Sequence, residues 1–364
     1  MPRVTVVIPS YNHGRFLPRR FETILGQTYR DYEILFLDDG STDDSLAVLE
    51  RYKGLPNLRA FINPTNGGSV FKQWNRGVRA ARGEYVWLAE SDDASDPRFL
   101  QTLVELLDAH PRVGLAYCNS RYIDELDRPG EALSRFVEEL HPSRWRANFI
   151  NDGIDECRRY LCLMNTVPNA SAVVFRKRLY EEIGGADETK RLCGDWVTWI
   201  KLLLVGDVAY VAETLNHYRV PHEKSVRRHT MSNAIYLQEY LAILKLIEEK
   251  APPPPEVRRL IVDCLARQWR DQAYYGQGPS HPLNYWESLR RAEALNTDYL
   301  LAILSSALEC TINSHRALAA LTWELEQAKA KRFWSRVRRL LFPQNSWRHR
   351  LARGVVRLFQ GKAA

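Results

Sequence analysis

The chain has 364 residues, 45% of them hydrophobic and 26% charged, with 19 Gly and 18 Pro. That is apolar material for a sizeable core and about two domains, and it excludes a disordered, collagenous or coiled-coil chain. The formal net charge of +7 is uneven: residues 331–364 carry ten Lys/Arg and no acidic residue, leaving 41 basic against 44 acidic residues elsewhere. Six Cys are scattered without a C-x-x-C pair, which argues against a disulfide framework and a zinc site. No apolar signal core opens the chain and no run of 18 apolar residues follows, so the expectation is a cytoplasmic protein with reduced thiols.

In chain order, Val4-Thr5-Val6-Val7-Ile8 reads as a buried strand, followed by strands at Tyr32–Leu37, Leu58–Ile62 and Glu84–Ala89. Helical patterns lie between and after them, at about 15–26, 43–53, 68–82 and 97–109. Apolar strands joined by helical crossovers predict an α/β fold with a mostly parallel sheet. Residues 169–176 read as a further strand, either near the donor sugar or acceptor or simply in the core. Beyond about residue 230 the pattern is helical, at 231–250, 256–275, 283–295 and 298–328, interrupted by Pro252-Pro253-Pro254-Pro255. The expected division is a catalytic domain over 1–226, a helical region over 227–330 and a basic amphipathic tail over 331–364.

Ligands of open parallel sheets bind at the carboxyl ends of the strands. Three of the predicted strands end in polar clusters: Pro9-Ser10-Tyr11-Asn12, Asp38-Asp39-Gly40-Ser41-Thr42-Asp43-Asp44 and Glu90-Ser91-Asp92-Asp93. Each acidic run alone reads equally well as a capped turn. Their recurrence at neighbouring strand ends points to a divalent cation, Mg²⁺ or Mn²⁺, which also holds a diphosphate. The dinucleotide pattern G-x-G-x-x-G is missing after the first strand and G-x-x-x-x-G-K-[ST] is missing throughout, which removes the main support for a dehydrogenase or a P-loop protein.

The segments Val6–Asn12, Leu37–Ser45, Asn66-Gly67-Gly68, Asn75-x-Gly77, Ala80-x-x-Gly83-Glu84 and Leu88–Asp93 together resemble the family 2 glycosyltransferases of the GT-A fold. The resemblance covers roughly residues 3–226. It implies a nucleotide pocket walled by Pro9, Tyr11 and Asn12, with Asp39 accepting a hydrogen bond from the base and Asp38 supporting it. It implies that Asn66 and Gly68 meet the nucleotide, that Lys72 or Arg76 reaches a phosphate, and that Ser91 belongs to the same wall. Asp92, with Asp93 beside it, matches the metal-binding aspartate, and Glu90 stands where the family usually has Asp. Asp195, in Gly194-Asp195-Trp196, matches the catalytic base, and His222 falls in a segment like the family's lid.

Inverting transfer needs one carboxylate to take the acceptor's proton and one cation to stabilise the leaving diphosphate. The expected activity is therefore metal-assisted transfer of a sugar from a nucleotide-diphosphate donor, a UDP-sugar in the first instance. The acceptor would be a glycan or lipid-linked glycan of the kind found at bacterial surfaces. Trp196 and Trp199, three apart on one helix face, are expected in the core rather than against a sugar. The tail interleaves Lys/Arg with Phe333, Trp334, Phe342, Trp347 and Phe359, a composition suited to an anionic membrane surface at the inner face. Nucleic acid is not an expected partner, and a homo-oligomer stays open. A non-catalytic scaffold of the same fold and a sugar nucleotidyltransferase are the alternatives.

Overall fold

A computed structural model describes residues 1–167, 169–220 and 235–275, with scattered positions between 291 and 304. The chain divides into two compact units, Met1–Leu260 and Ile261–Ala364. The first unit opens with β1 (Val4–Ser10), α1 (Leu17–Leu25), β2 (Tyr32–Asp38), α2 (Ser45–Glu50), β3 (Leu58–Ile62), α3 (Val70–Ala80) and β4 (Tyr85–Leu88). It continues through β5 (Ala94–Ser95), α4 (Phe99–Ala109), β6 (Val113–Ile123), β7 (Pro129–Ala132) and α5 (Ser134–Val137). Next come β8 (Phe149–Asn151), α6 (Gly153–Glu156), β9 (Val173–Arg176), α7 (Lys177–Glu182), α8 (Gly194–Leu203) and β10 (Asp207–Arg219). Two further helices are α9 (Ile235–Lys250) and α10 (Pro255–Tyr275), the latter running past the boundary of the first unit.

The described strands all join one sheet, with the order β3-β2-β1-β4-β9-β6-β10-β5, β7 beside β6 and β8 beside β10. The first four strands are parallel, as their crossover helices require. From β4 onward the sheet is mixed: β9 runs antiparallel to both β4 and β6, while β10 is parallel to β6. The expected mostly parallel sheet is therefore its first half, because the βαβ rhythm of the sequence stops after α4. The segment expected as a strand from 169 begins with a 3₁₀ turn at Ala170–Ala172 and becomes extended only at Val173.

β1 and β2 are buried along their whole length, which is why they read as unbroken apolar runs. Val6, Ile8, Phe36 and Trp87 form one core with Leu17, Phe21 and Ile24 of α1 and Phe99, Leu103 and Leu107 of α4. On the other face α3 lies close on β1. A Cβ at Gly77 would stand 2.4 Å from Val7 Cγ1, so only glycine fits that approach. No described helix is long and apolar enough to cross a membrane.

Candidate active site

β1 lies between β2 and β4, all parallel, with Ser10 opposite Asp38 and Val7 opposite Leu88. The loops that follow these strands therefore leave from one rim of the sheet. The loop after β1 ties the other two together. Asn12, held at a positive φ of 54°, donates its N–H to Ser41 Oγ (2.9 Å), and its Oδ1 accepts the Thr42 N–H (2.7 Å). The next residue, His13, pairs its Nδ1 with Ser91 Oγ (2.7 Å). Two adjacent residues thus span the β2 loop on one side and the β4 loop on the other. Asp39 and Asp92 accordingly share a rim.

The β2 carboxylates are bound up in hydrogen bonds. Asp38 is buried, and its Oδ2 accepts the Gly40 and Ser41 N–H groups (3.1 and 2.9 Å). This makes it the brace of the turn that presents Asp39. Asp39 accepts from the Gly67 N–H (3.1 and 3.0 Å to its two oxygens), Asn63 Nδ2 (2.6 Å) and Gln73 Nε2 (2.5 Å). Asn63 in turn receives a hydrogen bond from Arg76, whose guanidinium lies 5.2 Å over the Phe61 ring. Arg76 thus supports Asp39 through Asn63. Lys72 Nζ donates to the Gly67 carbonyl (2.9 Å), and the Gly68 N–H donates to Asn66 Oδ1 (2.5 Å). Tyr11 is 43% exposed at the rim, whereas Pro9 is buried within β1 opposite Leu37.

The β4 loop is held by its backbone. The Glu90 N–H donates to Ser171 Oγ (3.0 Å) and its carbonyl accepts from Arg20 Nε (2.9 Å). The Asp92 carbonyl accepts from Arg219 Nε (2.6 Å). Asp93 is buried, its oxygens accepting the Arg219 N–H (2.8 Å) and Asn169 Nδ2 (3.0 Å). Glu90 Oε1 accepts the Trp74 indole N–H (2.8 Å). The Asp92 carboxylate is half-buried and accepts no hydrogen bond among the described residues.

Electrostatics match that geometry. Burial and the neighbouring Asp92 charge push Glu90 up to about 8, against the Trp74 hydrogen bond and the Arg20 charge. The same burial and the same neighbour push Asp93 up to about 6, opposed by Arg20. Burial also lowers Arg20 to about 10, with the Asp93, Asp92 and Glu90 charges opposing. Among the described residues no three His, Cys, Asp or Glu side chains are grouped to hold a metal ion. Asp93 is engaged by Arg219 and Asn169, and Glu90 by Trp74, so among the described residues Asp92 is the one of the three acids expected around a cation whose carboxylate accepts no hydrogen bond. Its hard oxygen donors would suit Mg²⁺ or Mn²⁺.

Asp195 lies in the first turn of α8, with Oδ1 accepting the Trp196 N–H (2.7 Å) and Oδ2 accepting from Asn165 Nδ2 (3.1 Å). α8 packs against α3. A Cβ at Gly194 would meet the Phe71 ring at 2.4 Å, and Trp74 lies 5.9 Å from Trp199, centroid to centroid. The indole that donates to Glu90 therefore also supports the helix bearing Asp195. Trp196 and Trp199 are buried, as expected of core residues. The turn before α8 is gripped from α9. Glu239 accepts the N–H groups of Arg191 (2.8 Å), Leu192 (3.1 Å) and Cys193 (2.7 Å).

His222 and the tail 331–364 lie outside the described residues. Sequence reasoning missed Arg20, Asn63, Gln73, Asn165 and Glu239, and placed Ser171 only within a segment near the donor sugar or acceptor. Arg20 carried a readable signal: it stands three after Leu17 and four before Ile24, on the apolar face of α1. The others contact the site across long sequence separations, and only the fold brings them there.

A family model described as glycosyl transferase family 2 matches residues 5–183. An uncharacterized glycosyltransferase, alr2836, from Nostoc sp. is 28% identical over 228 residues, covering 60% of this chain and 65% of that protein. The uncharacterized protein MT1568 of Mycobacterium tuberculosis is 30% identical over 236 residues, covering 63% of this chain and 68% of its own. Two solved structures share the fold at low identity. TarS residues 1–349 from S. aureus aligns at a TM-score of 0.64 with 16% identity, over 92% of this chain and 91% of that one. The mannosyltransferase PcManGT from Pyrobaculum calidifontis, in complex with GDP-Man and Mn²⁺, aligns at 0.54 with 19% identity, over 92% and 88%. The sheet and these solved structures give the chain the GT-A fold, and the chain spans about two thirds or less of the length of the first curated relatives it matches. The chain belongs to glycosyl transferase family 2.

Proposed function

We propose that this enzyme moves a sugar, with inversion, from a nucleotide-diphosphate donor to a glycan or lipid-linked glycan acceptor. The observation that carries this reading is the Asp92 carboxylate, unengaged among bonded neighbours, on the same rim as Asp39. Asp39 accepts the N–H of the nucleotide base, and Tyr11 and Asn12 wall the pocket. Asp92 is the carboxylate that would hold Mn²⁺ or Mg²⁺, which supplies charge to stabilise the leaving diphosphate. Asp195, oriented by Asn165 and the Trp196 N–H, takes the proton from the acceptor hydroxyl. The Mn²⁺ in PcManGT supports the metal-assisted form of this reading.

A panel of UDP- and GDP-sugars, each with and without Mn²⁺, tests it by thermal unfolding. A true donor at a hundredfold excess over its Kd stabilises by about 2.7 kcal/mol, a shift of several degrees. The metal should enlarge the stabilisation, and slow donor hydrolysis should accompany it. A panel in which no nucleotide sugar moves the transition would overturn the reading. The basic tail is assigned to an anionic membrane surface, where a lipid-linked acceptor would be met. Loss of vesicle co-sedimentation on deleting residues 331–364 tests that assignment.

A further inference from the structure

Arg20 is fully buried, on the apolar face of α1. A buried guanidinium is expensive, and proteins commonly place a carboxylate directly against it. Here the partners are neutral. Nε donates to the Glu90 carbonyl (2.9 Å), Nη2 donates to Ser171 Oγ (2.9 Å), and Nη1 is buried with no hydrogen-bond partner among the described residues. The guanidinium carbon lies 5.0 Å over the Trp87 ring.

Ser171 completes a closed circuit. Its hydroxyl oxygen also accepts the Glu90 N–H (3.0 Å), and its carbonyl accepts the Trp87 indole N–H (2.8 Å). Both peptide groups flanking the Glu90 Cα are therefore fixed by one guanidinium and one hydroxyl. Two residues on, the Asp92 carbonyl is fixed by Arg219. The backbone around Asp92 is held from both sides while its carboxylate is left to other partners. The three loop carboxyls balance the Arg20 charge at longer range.

We propose that Arg20 is a positioning residue for the donor site, a buried cation that sets the Glu90–Asp92 backbone so that the Asp92 carboxylate stands ready for a divalent cation and its diphosphate. The inference rests on the donor-site reading above. It assigns Arg20 the geometry as well as the charge. A lysine keeps the charge but cannot reach the Glu90 carbonyl and Ser171 in the fork that a guanidinium makes.

The test is calorimetry on the full chain with UDP, with and without Mn²⁺, the readout being the gain in UDP affinity that the metal confers. Arg20→Met should cut that gain roughly ten- to a hundredfold, the size of one lost charge-assisted hydrogen bond, and leave metal-free UDP binding unchanged. Arg20→Lys should fall between Arg20→Met and the parent. Ser171→Ala, which removes the bridging hydroxyl and no charge, should cut the gain roughly fivefold. A role in stability alone would lower the unfolding temperature and leave the gain intact. If the parent chain shows no metal-dependent gain, the donor-site reading fails. If the parent shows one and folded Arg20→Met keeps it in full, the Arg20 inference fails alone. Should Arg20→Met not fold, an undiminished gain in both Arg20→Lys and Ser171→Ala overturns it.

Discussion

The two acidic clusters of the rim are alike in sequence and opposite in their treatment. After β2, Asp39 accepts hydrogen bonds from a backbone N–H and two side-chain amides, and Asp38 is spent on holding the turn. After β4, hydrogen bonding is lavished on the backbone, through Arg20, Ser171 and Arg219, while the Asp92 carboxylate accepts none among the described residues. A carboxylate surrounded by N–H donors is fixed in place for one further N–H, such as that of a base. A carboxylate crowded by other acids and short of donors calls for a cation. On the proposed reading, identical residue types are turned to different ligands by the donors around them.

The comparison breaks most visibly at the third acid, which belongs to neither cluster. Asp195→Asn should lower kcat about 10²- to 10⁴-fold, the usual worth of a positioned general base, with UDP affinity unchanged. Near-normal turnover in single-turnover assays would mean that another group takes the proton. Asp92→Ala should cost about a hundredfold in Mn²⁺-dependent UDP affinity, read by calorimetry, and leave the metal-free component in place. Asp39→Asn should do the reverse. It should weaken UDP with or without metal by roughly ten- to a hundredfold, because the lost contact is to the base. If both substitutions hit the metal-dependent component alone, the two clusters would not have the separate roles assigned to them.

Acidity sharpens the same contrast. Glu90 is raised to about 8 from the usual glutamate range near 4.5, so between those values the folded chain holds a proton that the unfolded chain has released. Stability of the metal-free protein should therefore fall as pH rises through that window, by at most about 1.4 kcal/mol per pH unit for this group. Melting curves from pH 5 to 8 should show the decline, and Glu90→Gln should flatten it. Mn²⁺ with UDP should restore most stability at the alkaline end, where the cation meets an ionised cluster.

Much of this was legible before any coordinates. β1, β2 and β3, the four helices between 15 and 109 and the polar strand ends all follow from apolar runs and their punctuation. The emergence of Asp38, Asp39 and Asp92 at strand ends and of Asp195 at a helix start was legible from the pattern, while the roles proposed for them came from the resemblance. The mixed half of the sheet was not, since β9 and β10 carry no local sign of which strand they join or in which direction. The second layer of the site was hidden for the same reason. Ser171 lies 81 positions from the Glu90 N–H it accepts, and Gln73 lies 34 from Asp39. Arg20 is the exception, legible as a charge on an apolar stripe.

The smallest expected effect concerns Glu239, on a helix beyond the part of the chain that the family model matches. Its carboxylate collects three consecutive N–H groups, of Arg191, Leu192 and Cys193, just before Gly194 and Asp195. Tyr240, beside it, stacks on Trp196 and donates to the Cys162 carbonyl (2.8 Å), so α9 grips the turn at two points. Glu239→Gln keeps an acceptor oxygen but loses the charge that strengthens all three bonds. About 1–2 kcal/mol of stability should go with it. Because the loosened segment leads into Asp195 and not into the rim, kcat should drop several-fold while UDP affinity, with or without Mn²⁺, stays as it was. A fall in UDP affinity equal to that in kcat would mean that α9 supports the whole site rather than the base, and the division drawn between the rim and α8 would not hold.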